Sequence, residues 1–406
     1  MLPPLAARLS ATSAPATVAM SAAARVLREA GHDVISLAIG EPDFATPPHA
    51  VEAAHAAALA GQTKYPPTDG TAALLRAVRA KFARENGVEY GANEVIVSTG
   101  AKQGIFNAFA ATLDPGDEVV VPSPYWASYP LIAQLLGGVP VFVPCDESDR
   151  FRLRPERLAA ALGPRSRWVV LNFPNNPSGA TAPASLLREL AEVLRHHPNC
   201  WILCDEIYEH LSYGREPHAS LAAVAPFLRD RILTLNGVSK SYAMTGWRIG
   251  YAGGPSRLIR AMSVIQSNST SGASSISQAA AVAALEGPQE TVGVMRADYQ
   301  RRRDAVVAAL RAIPGLTCAV PDGALYLYPG VGGFIGRTSA GGRPIADDAA
   351  FALALLEEQH VAVVPGDAFG MSPFIRLSIA SDDRELAEAC RRIALFCAGC
   401  APSAVS

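Results

Sequence analysis

The stretch Ser239-Lys-Ser-Tyr-Ala-Met-Thr-Gly-Trp-Arg-Ile-Gly250 connects two short apolar runs, Arg231–Leu235 and Arg248–Ala252, which we predict to be strands. Lys240 is one of only four lysines among 35 basic residues, and it stands among small and apolar neighbours with no acidic partner beside it. Unlike arginine, lysine can lose its proton near neutral pH and form a Schiff base. Arg248 follows eight residues later and would place a phosphate clamp in the same cleft. Taken alone, the stretch is also compatible with a solvated surface lysine.

Apolar runs of strand length recur upstream, separated by amphipathic stretches of helical length. Further predicted strands are Val34–Ile39, Glu94–Ser98, Glu118–Val121, Val139–Val143, Trp168–Asn172 and Cys200–Cys204. Predicted helices are 18–30, Pro48–Leu59, Thr71–Glu85 and Lys102–Leu113. This alternation is typical of an α/β fold, in which a mostly parallel central sheet carries helices on both faces. We assign residues 48–290 to one large domain of this kind.

The C-terminal part of the chain has a different pattern. An arginine-rich helix, Met295–Ala312, is followed by predicted strands and a loop across Arg337–Arg343. The predicted strands are Leu316–Ala319, Ala324–Tyr328, Val361–Val364 and Ile375–Ser378. We therefore expect a smaller α+β domain formed by both termini, from residues 1–47 and 291–406.

Composition excludes several classes of function. The formal net charge of −2 argues against a broad nucleic-acid surface. Seven cysteines, with one CxxC pair at Cys397 and Cys400, form no disulfide framework, and the eight histidines show no ligand spacing, so we predict no metal. No apolar run approaches membrane-spanning length, and the first residues show no signal-peptide pattern. We expect a cytoplasmic protein without a membrane partner.

Four loops follow predicted strands, which is where open α/β sheets usually bind ligands. They cover residues 98–102, 172–179, 205–208 and 236–240. In the first loop, small residues lead into a helix N-terminus, which suits an anion but is equally common in a structural turn. In the third loop, Asp205 ends an apolar strand and should be partly buried, where a carboxylate needs a cationic partner unless it serves as a helix cap.

Several motifs in order resemble one family. They are GEPDF (40–44), NNPSG (175–179), DEIYEHL (205–211), SKSYAMTGWRIGY (239–251) and FIRLS (374–378). Together they resemble the aspartate aminotransferase family of enzymes that depend on pyridoxal 5′-phosphate (PLP) and have the type I fold. The resemblance covers nearly the whole chain and implies transfer of an amino group between an amino acid and a 2-oxo acid.

The resemblance also implies a role for each matching position. Lys240 would carry PLP and, once released, move a proton from the substrate Cα to the cofactor. Asp205 would pair with the protonated pyridine nitrogen, and Arg376 would clamp the substrate α-carboxylate beside Gly40. The remaining implied contacts are Tyr208 and Asn176 to the phenolic oxygen, Trp126 to the ring, and Gly100, Ala101, Arg248 and, across a homodimer interface, Tyr65 to the phosphate.

Lys102 is the main indication of the substrate. In relatives whose loop reads GGKQ, this lysine is thought to meet the distal carboxylate of aspartate or glutamate, and here the loop reads Gly100-Ala-Lys-Gln103. Thr17 and, from the neighbouring subunit, Ser267 would line the same pocket. The resemblance thus implies that L-aspartate and 2-oxoglutarate react to oxaloacetate and L-glutamate. The alternative for Lys102 is a role at the phosphate or on the helix surface.

Two departures and several alternatives remain. Relatives that accept prephenate tend to carry Lys-Pro where this chain has Ser13-Ala14, and the usual tyrosine after the carboxylate-binding arginine is Ile379. The main alternative is an aminotransferase that prefers aromatic amino acids or prephenate, and a PLP-dependent lyase is another. A regulatory binding protein on the same scaffold is the alternative outside enzymes, although the chain has no room for a DNA-binding segment before Gly40.

Overall fold

A computed structural model describes Pro3, residues 5–9, 16–214 and 216–402, without the side chains of residues 7, 16 and 17. The helices are α1 (Ala16–Glu29), α2 (Pro48–Leu59), α3 (Ala72–Lys81), α4 (Ala101–Ala110), α5 (Ser128–Leu135), α6 (Pro155–Ala161), α7 (Ala184–Arg195), α8 (Leu221–Val224), α9 (Ser256–Ser267), α10 (Ser275–Glu286), α11 (Glu290–Arg311), α12 (Asp348–Gln359) and α13 (Asp383–Gly399). Within the described residues, none of these helices has the length and apolar character needed to cross a membrane.

The strands are β1 (Ile35–Ser36), β2 (Val95–Thr99), β3 (Glu118–Ser123), β4 (Val139–Pro144), β5 (Ser166–Asn172), β6 (Trp201–Asp205), β7 (Ile232–Gly237), β8 (Ile249–Gly253), β9 (Tyr326–Leu327), β10 (Arg337–Thr338), β11 (Pro344–Ile345), β12 (Val361–Ala362), β13 (Val364–Pro365), β14 (Ile375–Ser378) and β15 (Ala401–Pro402). Seven of them form the central sheet in the order β2-β8-β7-β6-β5-β3-β4. Only β8 runs against its neighbours in this sheet. The predicted mostly parallel sheet is confirmed.

Alternate residues of the central strands pack into two separate apolar layers. In β2, Val95 and Val97 face a layer that includes α2, α3, α7 and α10, whereas Ile96 faces α4, α5 and α9. In β5, Val169 and Val170 divide in the same way. Successive side chains of a strand point to opposite faces, so apolar residues at every position require helices on both sides of the sheet. The inner strands are therefore buried on both faces, and a ligand reaches them at the strand ends.

Packed beside the central sheet are the short strands of the C-terminal part. β14 lies between β13 and β9, and β1 pairs in parallel with β12, which joins the N-terminal segment to the C-terminal one. The predicted strand Leu316–Ala319 is wrong, because only Thr317 forms a single bridge, to Gly330. The segment Arg337–Arg343 is not only a loop, because its first two residues form β10. This strand pairs with β11 just after the segment and with β15 near the C-terminus. The division into residues 48–290 and the two terminal segments stays a prediction.

One predicted helix changes its winding before it ends. The expected helix Thr71–Glu85 begins after Thr71, whose side chain accepts a hydrogen bond from the Leu74 backbone N–H at 3.4 Å. After Lys81 the chain forms a π-helical turn over Phe82–Asn86, which ends at Gly87 in the left-handed conformation. Such turns are rare and often mark functional places in a structure.

Candidate active site

A cavity of about 530 Å³ opens where β2, β5, β6 and β7 end at their carboxyl termini. Loops after these strands supply most of its lining, as expected for an open α/β sheet. The predicted site residues that line it are Gly40, Ala101, Lys102, Trp126, Asn176, Asp205, Tyr208, Lys240, Arg248 and Arg376. Residues separated by more than 300 positions in the sequence thus meet in one cleft.

Lys240 extends from the loop after β7 into this cavity. Its Nζ donates a hydrogen bond to the carbonyl oxygen of Gly40, and it forms no ion pair with any carboxylate among the described residues. Burial lowers the pKa of Lys240; Tyr326 and Glu41 act in the opposite direction, and Arg376 adds to the lowering. An amine with a lowered pKa is available as a nucleophile and as a general base near neutral pH.

Asp205 ends β6 and is buried, with 2% of its surface exposed. The Tyr129 hydroxyl donates a hydrogen bond to Asp205 Oδ2 at 2.7 Å, and the Ile207 backbone N–H donates to Oδ1 at 3.2 Å. Burial raises the pKa of Asp205 to about 6, although both hydrogen bonds oppose the rise. Within the part of the chain that the structure describes, no cationic side chain pairs with it. A buried carboxylate facing a cavity without a cation is suited to a cationic ring nitrogen.

Gly100 and Arg248 form a tight cradle at the start of α4. Gly100 has φ +78°, and a Cβ at this position would overlap the Arg248 guanidinium. A Cβ at Gly250 would overlap the backbone N–H of Ala101, so β8 lies close beneath the loop. The N-terminus of α4 and the guanidinium thus converge on one place. This arrangement of backbone N–H groups and a fixed cation is typical of a phosphate site.

Arg376 lies on β14 and is 3% exposed. Its guanidinium donates to Asn176 Oδ1 at 3.1 Å and to the Ala38 carbonyl oxygen at 2.6 Å, while Nε has no partner among the described residues. The guanidinium stacks on Tyr326, 4.6 Å from the ring centroid. No carboxylate of the described residues neutralises this buried cation. A planar, buried and uncompensated guanidinium is suited to bind a carboxylate from a ligand.

Lys102 is the second residue of α4, and it lines the cavity. Its Nζ is 4.8 Å from the centroid of the Trp126 ring. Burial, and next the nearby charge of Arg248, lower the pKa of Lys102. Among the described residues it has no carboxylate partner either. Besides Arg248 at the phosphate cradle and the amine of Lys240, the cavity therefore contains two basic side chains, Arg376 and Lys102, that have no carboxylate partner among the described residues.

Comparison with known proteins identifies the family. The family of class I and II aminotransferases matches residues 32–393. The chain belongs to this family. It is 52% identical to the aspartate aminotransferase of Rhizobium meliloti (strain 1021), over 97% of this chain and 96% of that protein, and 53% identical to an aspartate/prephenate aminotransferase of Cereibacter sphaeroides, over 94% and 96%. The crystal structure of the aspartate aminotransferase from Rhizobium meliloti superposes with a TM-score of 0.95, at 51% identity over 98% of this chain and 100% of that one. The aminotransferase thus has the type I fold.

Among the predicted site residues that the structure describes in full, Gly100, Tyr65 and Ser267 do not line the cavity of the single chain, and Gly100 instead contacts Arg248 in the cradle described above. Tyr65 is 97% exposed, and Ser267 is exposed at the end of α9, where its hydroxyl donates to the Val264 carbonyl oxygen at 2.9 Å. The side chain of Thr17 lies outside the described residues. The roles of these residues, like those of the lining residues, stay predictions.

Two tyrosines of the aminotransferase were missed by the sequence analysis. Tyr326 Oη lies 2.8 Å from Tyr208 Oη, and it lies so close to Gly40 that any Cβ there would overlap it. Tyr129 holds Asp205, as described above. Tyr129 stands in the Pro-Tyr-Trp-Ala-Ser-Tyr segment that supplied Trp126, and Tyr326 stands within a predicted strand. A tyrosine in a predicted strand or beside another aromatic residue is usually a core side chain, so the sequence gave no indication that these two hydroxyls make polar contacts.

Proposed function

We propose that this aminotransferase transfers the amino group of L-aspartate to 2-oxoglutarate, giving oxaloacetate and L-glutamate. One observation carries the proposal: Arg376 and Lys102 line the same cavity, and among the described residues neither is neutralised by a carboxylate. A substrate with two carboxylates would satisfy both cations. Relatives named aspartate aminotransferase at about half identity support the same substrate.

The residues present fit PLP as the cofactor. The unpaired Asp205 would hold the proton of the pyridine nitrogen, and the cradle of Gly100, Ala101 and Arg248 would hold the phosphate. Tyr208 and Asn176 would bind the phenolic oxygen, and Trp126 would lie against the ring. PLP bound here would supply an electron sink for the pair of electrons left when the substrate Cα loses its proton.

The chain's own groups would perform the binding and the proton transfer. Arg376 binds the α-carboxylate of the substrate beside Gly40 and fixes the orientation of the Cα–H bond. Lys102 binds the distal carboxylate, together with Thr17 of the same chain and with Ser267 of the partner subunit. The amine of Lys240, whose pKa burial lowers, would take the proton from the substrate Cα and hold it at Nζ for transfer to the cofactor. Asp205 would stay ionised and hold the proton of the ring nitrogen in place.

A panel of amino donors tests the substrate. Each donor is incubated with 2-oxoglutarate and the oxo-acid product is identified by mass spectrometry. The proposal expects the highest kcat/KM for aspartate, with oxaloacetate as product. Prephenate is included as acceptor because of the relative named aspartate/prephenate aminotransferase. A clear preference for phenylalanine or tyrosine over aspartate would replace the proposal by an aromatic aminotransferase.

We further infer a cytoplasmic homodimer with shared active sites. The support is the exposure of Tyr65 and Ser267, whose positions match residues that reach across a two-fold interface in the family. Chains that carry Tyr65→Ala are mixed with chains that carry Lys240→Ala, so that hybrid dimers contain one intact site. Activity should appear on mixing. If subunits exchange but no activity appears, the sites are not shared.

A further inference from the structure

A buried cluster of charged side chains lies outside the cavity, behind the loops of Asp205 and Lys240. Lys81 is fully buried, and its Nζ donates to Glu209 Oε1 and, at 2.7 Å, to Asn86 Oδ1. The Asn86 amide in turn donates to Glu209 Oε2 at 2.6 Å and to Glu206 Oε2 at 3.0 Å. Glu85 completes one side, 3.6 Å from the Lys81 Nζ.

The π-helical turn after α3 explains how one continuous segment supplies Lys81, Glu85 and Asn86 to the cluster. Lys81 and Glu85 are four residues apart and share a helix face. In a regular α-helix, Asn86 would point away from that face. The wider turn over Phe82–Asn86 brings Asn86 back beside Lys81, which is the pair joined at 2.7 Å. The irregular winding therefore serves the polar cluster.

The cluster contacts both loops that carry the proposed catalytic groups. Glu206 is the residue after Asp205, and Glu209 follows Tyr208. On the other side, His210 Nδ1 lies 2.8 Å from Ser241 Oγ, which is next to Lys240, while His210 Nε2 donates to Glu85 Oε2 at 3.0 Å. Two strands that are hydrogen-bonded neighbours in the sheet are thus joined again beyond their ends.

Buried charge of this kind is costly to maintain for stability alone. Burial tends to raise the pKa of Glu209, but the charge of Lys81, followed by His210 and His218, outweighs it and lowers the pKa to about 2. An apolar replacement of a buried ion pair is often neutral or stabilising, so a fixed geometry explains the presence of this pair better than stability does. The pair has a third anchor in the Asn236 amide, which donates to Glu209 Oε1 at 2.8 Å from the end of β7.

We propose that Lys81, Glu209 and His210 are positioning residues for transamination, which hold the loop of Lys240 in register with the loop of Asp205. The proposal rests on the function proposed above. The amine of Lys240 and the carboxylate of Asp205 have to meet opposite ends of one ring. Separation of the two loops by a fraction of an ångström therefore misaligns the proton transfer while it leaves Arg376 and Lys102 in place. Proton-transfer geometry is sensitive to displacements of this size.

The test uses the PLP-loaded, full-length protein and compares a double substitution within the cluster with a single, milder substitution at its contact to the loop of Lys240. Lys81→Met with Glu209→Gln removes both charges together, so that no unpaired ion is left buried. Ser241→Ala removes only the contact of His210 with the loop of Lys240. For each, kcat and KM for aspartate are measured, together with the pH midpoint at which the absorbance of the bound cofactor changes.

The double variant should lower kcat by about ten- to a hundredfold with KM changed by less than about twofold. The absorbance midpoint should move by about one pH unit, because the amine and the ring no longer keep their alignment. Ser241→Ala should shift both quantities in the same direction by a smaller amount.

Matched controls separate positioning from folding stability. Arg167→Met with Asp117→Asn removes an ion pair at the opposite end of the sheet, where Arg167 Nε donates to Asp117 Oδ2 at 2.9 Å. Ser166→Ala removes a buried hydroxyl that accepts from the Gly163 N–H at 2.9 Å. Both controls should lower the melting temperature without change of kcat or of the midpoint. If the cluster variants behave like the controls, the proposal is wrong. If the double variant does not fold, a Ser241→Ala variant with unchanged kcat and unchanged absorbance midpoint overturns the proposal. An unmodified protein without PLP absorbance or transamination would instead refute the underlying function.

Discussion

Lys81 and Lys240 are both lysines, but their surroundings differ in charge. Lys81 is fully buried beside the carboxylates of Glu209 and Glu85, which compensate its charge, and the Asn86 amide oxygen accepts a further hydrogen bond from it. Lys240 lies in the cavity with a backbone carbonyl of Gly40 as its hydrogen-bond acceptor and no carboxylate paired to it among the described residues. The first environment places carboxylates beside the amine, whereas burial in the second lowers the pKa of the Lys240 amine. The chain thus places the lysine that we propose for positioning among carboxylates, and the lysine that we propose for catalysis away from them.

Substitution of Lys240 gives the largest expected effect on activity. Lys240→Ala removes the amine that moves the proton, and proton transfer by a positioned group contributes about 10²–10⁴-fold to rate. Transamination should therefore fall by at least this factor, while the melting temperature of the cofactor-free protein does not decrease. A steady-state assay with aspartate measures the loss. Residual activity within tenfold of the unmodified enzyme contradicts the assignment.

Substitution of Lys81 should instead affect stability. Lys81→Met leaves Glu209 buried without its cation, which costs about 3–5 kcal/mol in the free energy of unfolding. Urea unfolding measures the cost, with Lys240→Met as the matched control.

The control should not destabilise the cofactor-free protein. Because the folded pKa of Lys240 is lowered, its burial costs stability below the ordinary lysine pKa, and the cost disappears as the pH rises toward that value. Lys240→Met should thus be the more stable protein at neutral pH, with a gap that closes at alkaline pH. Equal destabilisation by both substitutions would remove the contrast between the two lysines.

Asp205 is a buried anion without a cationic partner, and it allows the same test of stability against pH as Lys240. Its folded pKa of about 6 lies above the unfolded value of 3.8, so the folded carboxyl group holds its proton more tightly. The ionised form therefore costs the cofactor-free protein about 3 kcal/mol, a penalty that is absent below pH 4 and complete above pH 6. Asp205→Asn should be more stable than the unmodified protein by a gap that opens across this interval. Unfolding curves from pH 4 to 7.5 measure the gap, and a gap independent of pH contradicts it.

Lys102 gives the smallest effect but decides the substrate. Lys102→Ala should lower kcat/KM for aspartate and glutamate by about ten- to a hundredfold, since a charge-assisted contact is worth about 1.5–3 kcal/mol. Alanine and phenylalanine lack a distal carboxylate and should be affected far less. Equal losses for acidic and neutral donors would place Lys102 at the cofactor phosphate instead.

The sequence predicted most of the central sheet because each buried strand is a continuous apolar run bounded by turns. It failed where pairing depends on distant partners, as for Leu316–Ala319, which is apolar enough for a strand but finds a bridge only at Thr317. Among site residues, Asp205 and Lys240 were recognisable because charge at the end of an apolar strand is unusual. Tyr129 and Tyr326 were not, since tyrosine within an apolar run serves core packing equally well.

The buried cluster illustrates the same limit. In the sequence, Lys81, Glu85 and Asn86 look like ordinary residues of an exposed helix, and only the π-helical turn brings Asn86 beside Lys81. Glu206 and Glu209 were quoted as part of a motif, but their partners come from a segment more than 100 residues away. Sequence spacing gives the face of a regular helix, and it gives no information about a local change of winding.

Borohydride trapping tests the central assignment most directly. Purified protein is loaded with PLP, reduced with borohydride and digested, and the modified lysine is located by mass spectrometry. The chain contains only four lysines, Lys64, Lys81, Lys102 and Lys240, so the result is unambiguous. The account predicts stoichiometric modification of Lys240 and none of Lys81. Modification of another lysine, or none at all in protein that has bound PLP, would contradict it.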